Sequence, residues 1–140
     1  MPWRQPPVRL DAASHLQLPP EPASVARARA FVTENCPYDG TVCEAAELLT
    51  SELTTNVVLH ARTSMDVAVT ARDGTVIVAV TDGSEAMPSG WGQAASAPAA
   101  PPESGRGLLL LDRLAAEWGI APRAKGKTIW FVVSPGTVTH

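Results

Sequence analysis

The stretch Thr41-VCEAAELLTSELTTNVVLH-Ala61 decides how the chain folds. Val42, Ala45, Ala46, Leu49, Leu53 and Val57 fall on one stripe of a 3.6-residue helix. Thr41 reads as the N-cap, with Glu44 three residues on completing a capping box. The pattern predicts a helix to about Ala61. Glu52, Asn56 and His60 lie four apart on a second face, displaced about 100° from the apolar stripe. A carboxylate beside an amide suits Mg²⁺ and phosphate, because Mg²⁺ takes a few protein oxygens and completes its shell with phosphate and water. The same carboxylate suits removal of a proton from an attacking hydroxyl. Taken alone, the pattern fits a solvated polar face as well, and His60 fits a helix C-terminus, where its cation meets the dipole.

Working outward, Pro22 suits a first helical turn. Val25, Ala28, Phe31 and Val32 continue at helical spacing until Pro37. His15 to Leu18 reads as a short strand before Pro19 and Pro20. Residues 1–14 hold prolines and little periodicity, and are expected to form a flexible arm. Downstream, Val67 and Val69 alternate with polar residues, Asp73-Gly74 is a tight-turn pair, and Val76, Val78 and Val80 alternate again, which predicts a hairpin. Residues 83–104 then carry four prolines and three glycines with no periodicity, as a lid over a site would. Gly105-Arg106-Gly107 opens an apolar helix from Leu108 to about Glu117. Two short strands follow, Trp118–Pro122 and Thr128–Val133, and 135–140 form a tail. Paired strands with intervening helices make an α+β sandwich with the helices on one face.

The composition bounds the function. The 140 residues carry 11 Lys and Arg against 14 Asp and Glu, a net charge of −3, with 45% apolar and 18% charged residues. That is one globular domain without the basic stripe that nucleic acid requires. No apolar run is long enough for a membrane span. The start, Met1-Pro2-Trp3-Arg4-Gln5-Pro6-Pro7, has no apolar core of a signal peptide. Cys36 and Cys43 match no metal or disulfide framework and are expected as unpaired thiols, in keeping with a reducing, cytoplasmic compartment.

Two further places suggest chemistry. Asp82 ends a strand just before Gly83. A carboxylate there accepts a hydrogen bond from the exocyclic amine of adenine and faces another acceptor in guanine. An Asp-Gly turn is the alternative. Gly105-Arg106-Gly107-Leu108 brings backbone amides, a helix N-terminus and a guanidinium to one anion. A glycine hinge before a core helix is the alternative there.

The order of these elements resembles the GHKL ATPase superfamily. Residues 51–61 look like its N box, and Val80-Thr81-Asp82-Gly83-Ser84, with Pro88 beyond, like its first glycine box. Ser104-Gly105-Arg106-Gly107-Leu108 looks like the second, and Gly126-Lys127-Thr128-Ile129-Trp130-Phe131 like the closing strand. The likeness covers roughly 15–134 and is nearest to the single-domain anti-sigma-factor serine kinases. It implies a Bergerat-type two-layer sandwich with a mixed, mostly antiparallel sheet. It implies ATP and Mg²⁺ as cofactors, with Glu52 as general base, Asn56 on the metal and Asp82 on adenine. Ser104, Gly105, Arg106, Gly107 and Leu108 would contact phosphate, and Thr128 would lie beneath the base or its bridging water. The implied partners are a sigma factor and an anti-anti-sigma protein of STAS type, with a homodimer open. The implied activity is phosphorylation of a serine on that second partner; an adaptor of the same fold without catalysis is the alternative. Ser84 and Ala86 stand where the wider superfamily carries glycines.

Overall fold

A computed structural model describes residues 3–38, 40–86 and 109–135. The elements follow the predicted order: β1 (Ser14–Leu18), α1 (Pro22–Glu34), α2 (Thr41–Asn56), a π-helical turn (Val57–Ala61), β2 (Met65–Arg72), β3 (Thr75–Asp82), helical residues 109–114 (α3), β4 (Glu117–Arg123) and β5 (Gly126–Val133).

Helix α1 starts on Pro22, whose missing N–H costs nothing in a first turn. Ser24, Ala28 and Val32 are its buried stripe, and the Ser24 hydroxyl donates to the Pro19 carbonyl at 2.7 Å. Helix α2 begins differently from expectation. Its N-cap is Gly40 at φ 79°, and no side chain caps it. Thr41 is already helical, because glycine takes the left-handed entry that threonine resists. The six predicted apolar positions of α2 and its π-turn are all buried. The buried hydroxyls of Thr50 and Thr54 donate to the carbonyls of Ala46 and Thr50, each at 2.7 Å, so the helix absorbs two polar side chains without orphaned donors.

The two helices are tied where they meet. Cys36 and Cys43 form a disulfide, with Cα atoms 6.0 Å apart. This corrects the expectation of unpaired thiols: a seven-residue spacing is no motif in itself, but the turn between α1 and α2 folds the two residues face to face. With it goes the thiol argument for a reducing compartment. From the same turn, Tyr38 accepts a hydrogen bond from the Gly74 amide at 3.0 Å, which fixes the β2–β3 turn to the helical layer. That turn is the expected one, with Asp73 and Gly74 both at positive φ (55° and 82°).

The sheet has the order β1-β2-β3-β5-β4, and all four pairings are antiparallel. The expected mixed character shrinks to one isolated parallel bridge, Trp3 to Ile120. Strand alternation sends Val67, Val80, Ile129 and Ile120, neighbours in register, to the helical side. There they pack with α1, α2 and Leu111 of α3 in the main core. The α+β sandwich with helices on one face is therefore the observed architecture. No helix among the described residues is long and apolar enough to cross a membrane.

The other face of the sheet is covered too. Ala68, Ala79 and Trp130 are neighbours in register and, with Ile77 and Val132, form a second buried cluster under Val8, Leu10 and Ala13. Residues 3–13, expected as a loose arm, thus run as a strap across the sheet. The Trp130 indole donates to the Arg4 carbonyl at 2.8 Å, and the Arg4 guanidinium stacks 5.4 Å from its ring. Arg4 also pairs with Glu117. A side chain on Gly119 would meet the Trp130 ring at 2.7 Å and the Arg4 stem at 2.6 Å, so glycine at that place lets the strap lie down. At the other end, His15 bridges Asp66 and the Leu10 carbonyl, each at 2.8 Å. The arm was illegible because its apolar residues follow neither helical nor strand spacing; they answer the sheet beneath them.

Candidate functional site

Helix α2 does not stop at Asn56 but widens into the π-turn, which Arg62 closes in the left-handed region (φ 57°) by donating its N–H to the Val57 carbonyl at 2.7 Å. Such turns recur at functional sites because the extra residue re-aims side chains. Here Leu53, Asn56, Val57 and His60 are aimed at the C-terminal end of β3 and the start of β5. Between the two walls lies a narrow cleft, whose space of about 400 Å³ includes its open mouth. Val80, Asp82, Lys127 and Ile129 form the opposite wall. Most of the lining is apolar, with a few polar groups converging on it, the usual make-up of a small-molecule site.

Asn56 is the unusual member. It is 5% exposed and lines the cleft, yet its side-chain amide makes no hydrogen bond with any described residue. A buried amide without a partner costs about 1–3 kcal/mol and points to an occupant that supplies one. The buried Thr50 and Thr54, on the same helix, are satisfied by their own backbone.

Across from it, Asp82 is 6% exposed and held by two groups. The Ser84 amide donates to Oδ1 at 2.8 Å, while Lys127 Nζ lies 3.1 Å from Oδ1 and 3.0 Å from Oδ2. The lysine also donates to the Ser84 carbonyl at 3.0 Å. Gly83 donates its N–H to the Thr63 hydroxyl at 2.8 Å, and Ala86 donates to the Ser84 hydroxyl at 3.1 Å. Ser84 and Ala86, which depart from the glycine pattern, therefore form side-chain-supported turns. Gly126 cannot be replaced here: at φ 142° a Cβ would sit 1.9 Å from the Asp82 carbonyl oxygen.

Of the predicted site residues, the structure brings Asn56 and Asp82 to opposite walls of one cleft. Glu52 is half-buried one turn before Asn56, and the described wall does not include it. Ser104, Gly105, Arg106, Gly107 and Leu108 lie outside the described residues, as does most of the expected lid. Thr128 is not at the cleft. Its hydroxyl bonds Thr81 at 2.6 Å, and alternation puts both threonines on the sheet face opposite Asp82. The residue opposite Asp82 in the register is Lys127, which the sequence reading places at the closing strand without a role of its own. The available signal was a lysine inside an otherwise apolar strand, directly after a glycine. Among the described residues no group of three His, Cys, Asp or Glu is placed to hold a metal.

A π-turn ending a long helix, a buried orphan amide and a strand-end aspartate thus meet around one cleft. No curated protein matches the chain. The model of the histidine kinase-like ATPase domain matches residues 18–133, a span holding the three helices, strands β2 to β5, the last residue of β1, and every described residue of the cleft; the chain belongs to that family and is an ATP-binding domain of the GHKL type.

Proposed function

We propose that the cleft binds ATP with Mg²⁺ and that the protein is an anti-sigma regulator which phosphorylates a serine of a STAS-type antagonist. The observation that carries the nucleotide part is the orphaned amide of Asn56 facing Asp82 across an apolar slot. Leu53, Val57, Val80 and Ile129 offer the faces of a flat ring apolar contact. Asp82 accepts from the base edge. Asn56 offers an amide oxygen to a cation whose remaining ligands are phosphate and water. Mg²⁺ would supply charge neutralisation on the transferring phosphoryl group. Glu52, beside the cleft, takes the proton of the target serine as its oxygen bonds to the γ-phosphorus and the bond to ADP breaks. The phosphate contacts fall to residues 104–108.

The test is transfer of labelled γ-phosphate from ATP to candidate antagonist proteins. Transfer that disappears with Glu52→Ala while Mg-ATP still binds supports the kinase reading; undiminished transfer removes Glu52 as base. A second reading, a nucleotide-binding adaptor without transfer, is favoured by one observation: Asp82 is engaged by Lys127 and the Ser84 turn. Tight Mg-ATP binding with no transfer to any antagonist would select it.

A further inference from the structure

We propose that Lys127 is a specificity-determining residue, and that by neutralising Asp82 and presenting a donor beside it the lysine lets the cleft accept guanine as well as adenine nucleotides. The inference rests on the nucleotide reading above and refines which base edge the site recognises.

Lys127 is 3% exposed, and lysine is almost never buried that far without partners. Its ammonium has three protons. One serves the two oxygens of Asp82, at 3.0 and 3.1 Å, and one serves the Ser84 carbonyl at 3.0 Å. The third has no acceptor among the described residues, and Lys127 is part of the cleft wall. A buried donor in that position is completed by an acceptor on the occupant.

The chemistry of the two purines follows. Adenine presents an amine donor next to a ring-nitrogen acceptor; guanine presents a carbonyl acceptor next to a ring N–H donor. A lone carboxylate accepts only, so it takes the adenine amine and repels the guanine carbonyl. The Asp82–Lys127 pair shows an acceptor and a donor about 3 Å apart. Adenine can place its amine on Asp82 and its ring nitrogen on Lys127. Guanine can place its ring N–H on Asp82 and its carbonyl on Lys127. Thr128 does not stand in for it, since its side chain lies on the far face of the sheet beside Thr81.

The experiment is displacement of a fluorescent ATP from the full chain by unlabelled Mg-ATP and Mg-GTP. Wild-type affinities for the two should agree within about tenfold, and Lys127→Met should separate them by about 50-fold or more in favour of ATP, the scale of one well-made base contact. Because that variant leaves the buried Asp82 with only the Ser84 amide as a partner, Lys127→Gln serves beside it. Gln, one atom shorter, keeps an uncharged amide donor on that wall, and should shift the ratio in the same direction by about tenfold. Folding of each variant is checked by thermal melting. A lysine that only braces the sheet would change the melting temperature and leave the ratio alone. A wild type that already excludes GTP, or an unchanged ratio in both variants with ATP still bound, overturns the role of Lys127 only. No displacement by either nucleotide overturns the nucleotide reading and this inference together.

Discussion

Replacing Asn56 by leucine should make the protein more stable and weaken its affinity for nucleotide. Asn56 is 5% exposed and its amide has no partner among the described residues, so the folded state carries a desolvation cost of about 1–3 kcal/mol. Leucine removes that cost, and its added volume has the adjoining cleft to enter. A net gain of about 1–2 kcal/mol is expected after some strain, which for a domain of this size raises Tm by about 3–6 °C. Loss of the amide contact should weaken Mg-ATP binding by about 100-fold, equivalent to about 2.8 kcal/mol. Thermal melting and isothermal calorimetry on the same preparation read both effects. Stability and binding moving in opposite directions is the signature of a site kept at the fold's expense. A variant that melts lower and binds Mg-ATP as before would refute the reasoning, because Asn56 would then be a structural residue with a partner in the fold.

Other consequences can be measured without ligand. Reducing the Cys36–Cys43 disulfide frees a short loop, and chain entropy puts the loss at about 2.5 kcal/mol; denaturant melts with and without reductant should separate by that amount, and Cys36→Ser should melt like the reduced protein in either buffer. His15 has its pKa raised above the ordinary 6.5, chiefly by its hydrogen bond to Asp66 and then by the Leu10 carbonyl. The stability it adds is complete below about pH 6.5 and disappears as pH rises through the raised folded value. His15→Gln should flatten that part of the profile, and since the ring is largely exposed the change should be small. Gly119→Ala drives a methyl into the fully buried Trp130 ring, and should cost about 1–3 kcal/mol. It should also speed trypsin cleavage after Arg4 and Arg9, as the strap lifts.

What the sequence revealed, and what it did not, divides along a physical line. The stripe of α2 and the β2–β3 hairpin were legible because local periodicity and an Asp-Gly turn dictate them. Asn56 and Asp82 were legible as candidates because each sits at a fixed place relative to such an element. The entry into α2 was misread because Thr41 satisfies a side-chain rule, whereas the backbone there needs the positive φ that Gly40 supplies. Cys36–Cys43, the strap and the Asp82–Lys127 pair are all contacts across the fold, set by strand register and helix packing rather than by neighbours in the chain. Thr128 shows the same limit on the smallest scale: in a strand, one residue of offset moves a side chain from the cleft to the opposite face.

The most direct measurement of the central claim is a Mg-ATP titration of the ¹⁵N-labelled protein followed by NMR. The account predicts saturable shifts centred on the Asn56 side-chain amide and the backbone amides of Gly83, Ser84 and Lys127, lost on adding EDTA, with the strap residues 3–13 unmoved. Saturation that leaves those signals in place, or shifts gathered on the strap side of the sheet, would contradict it.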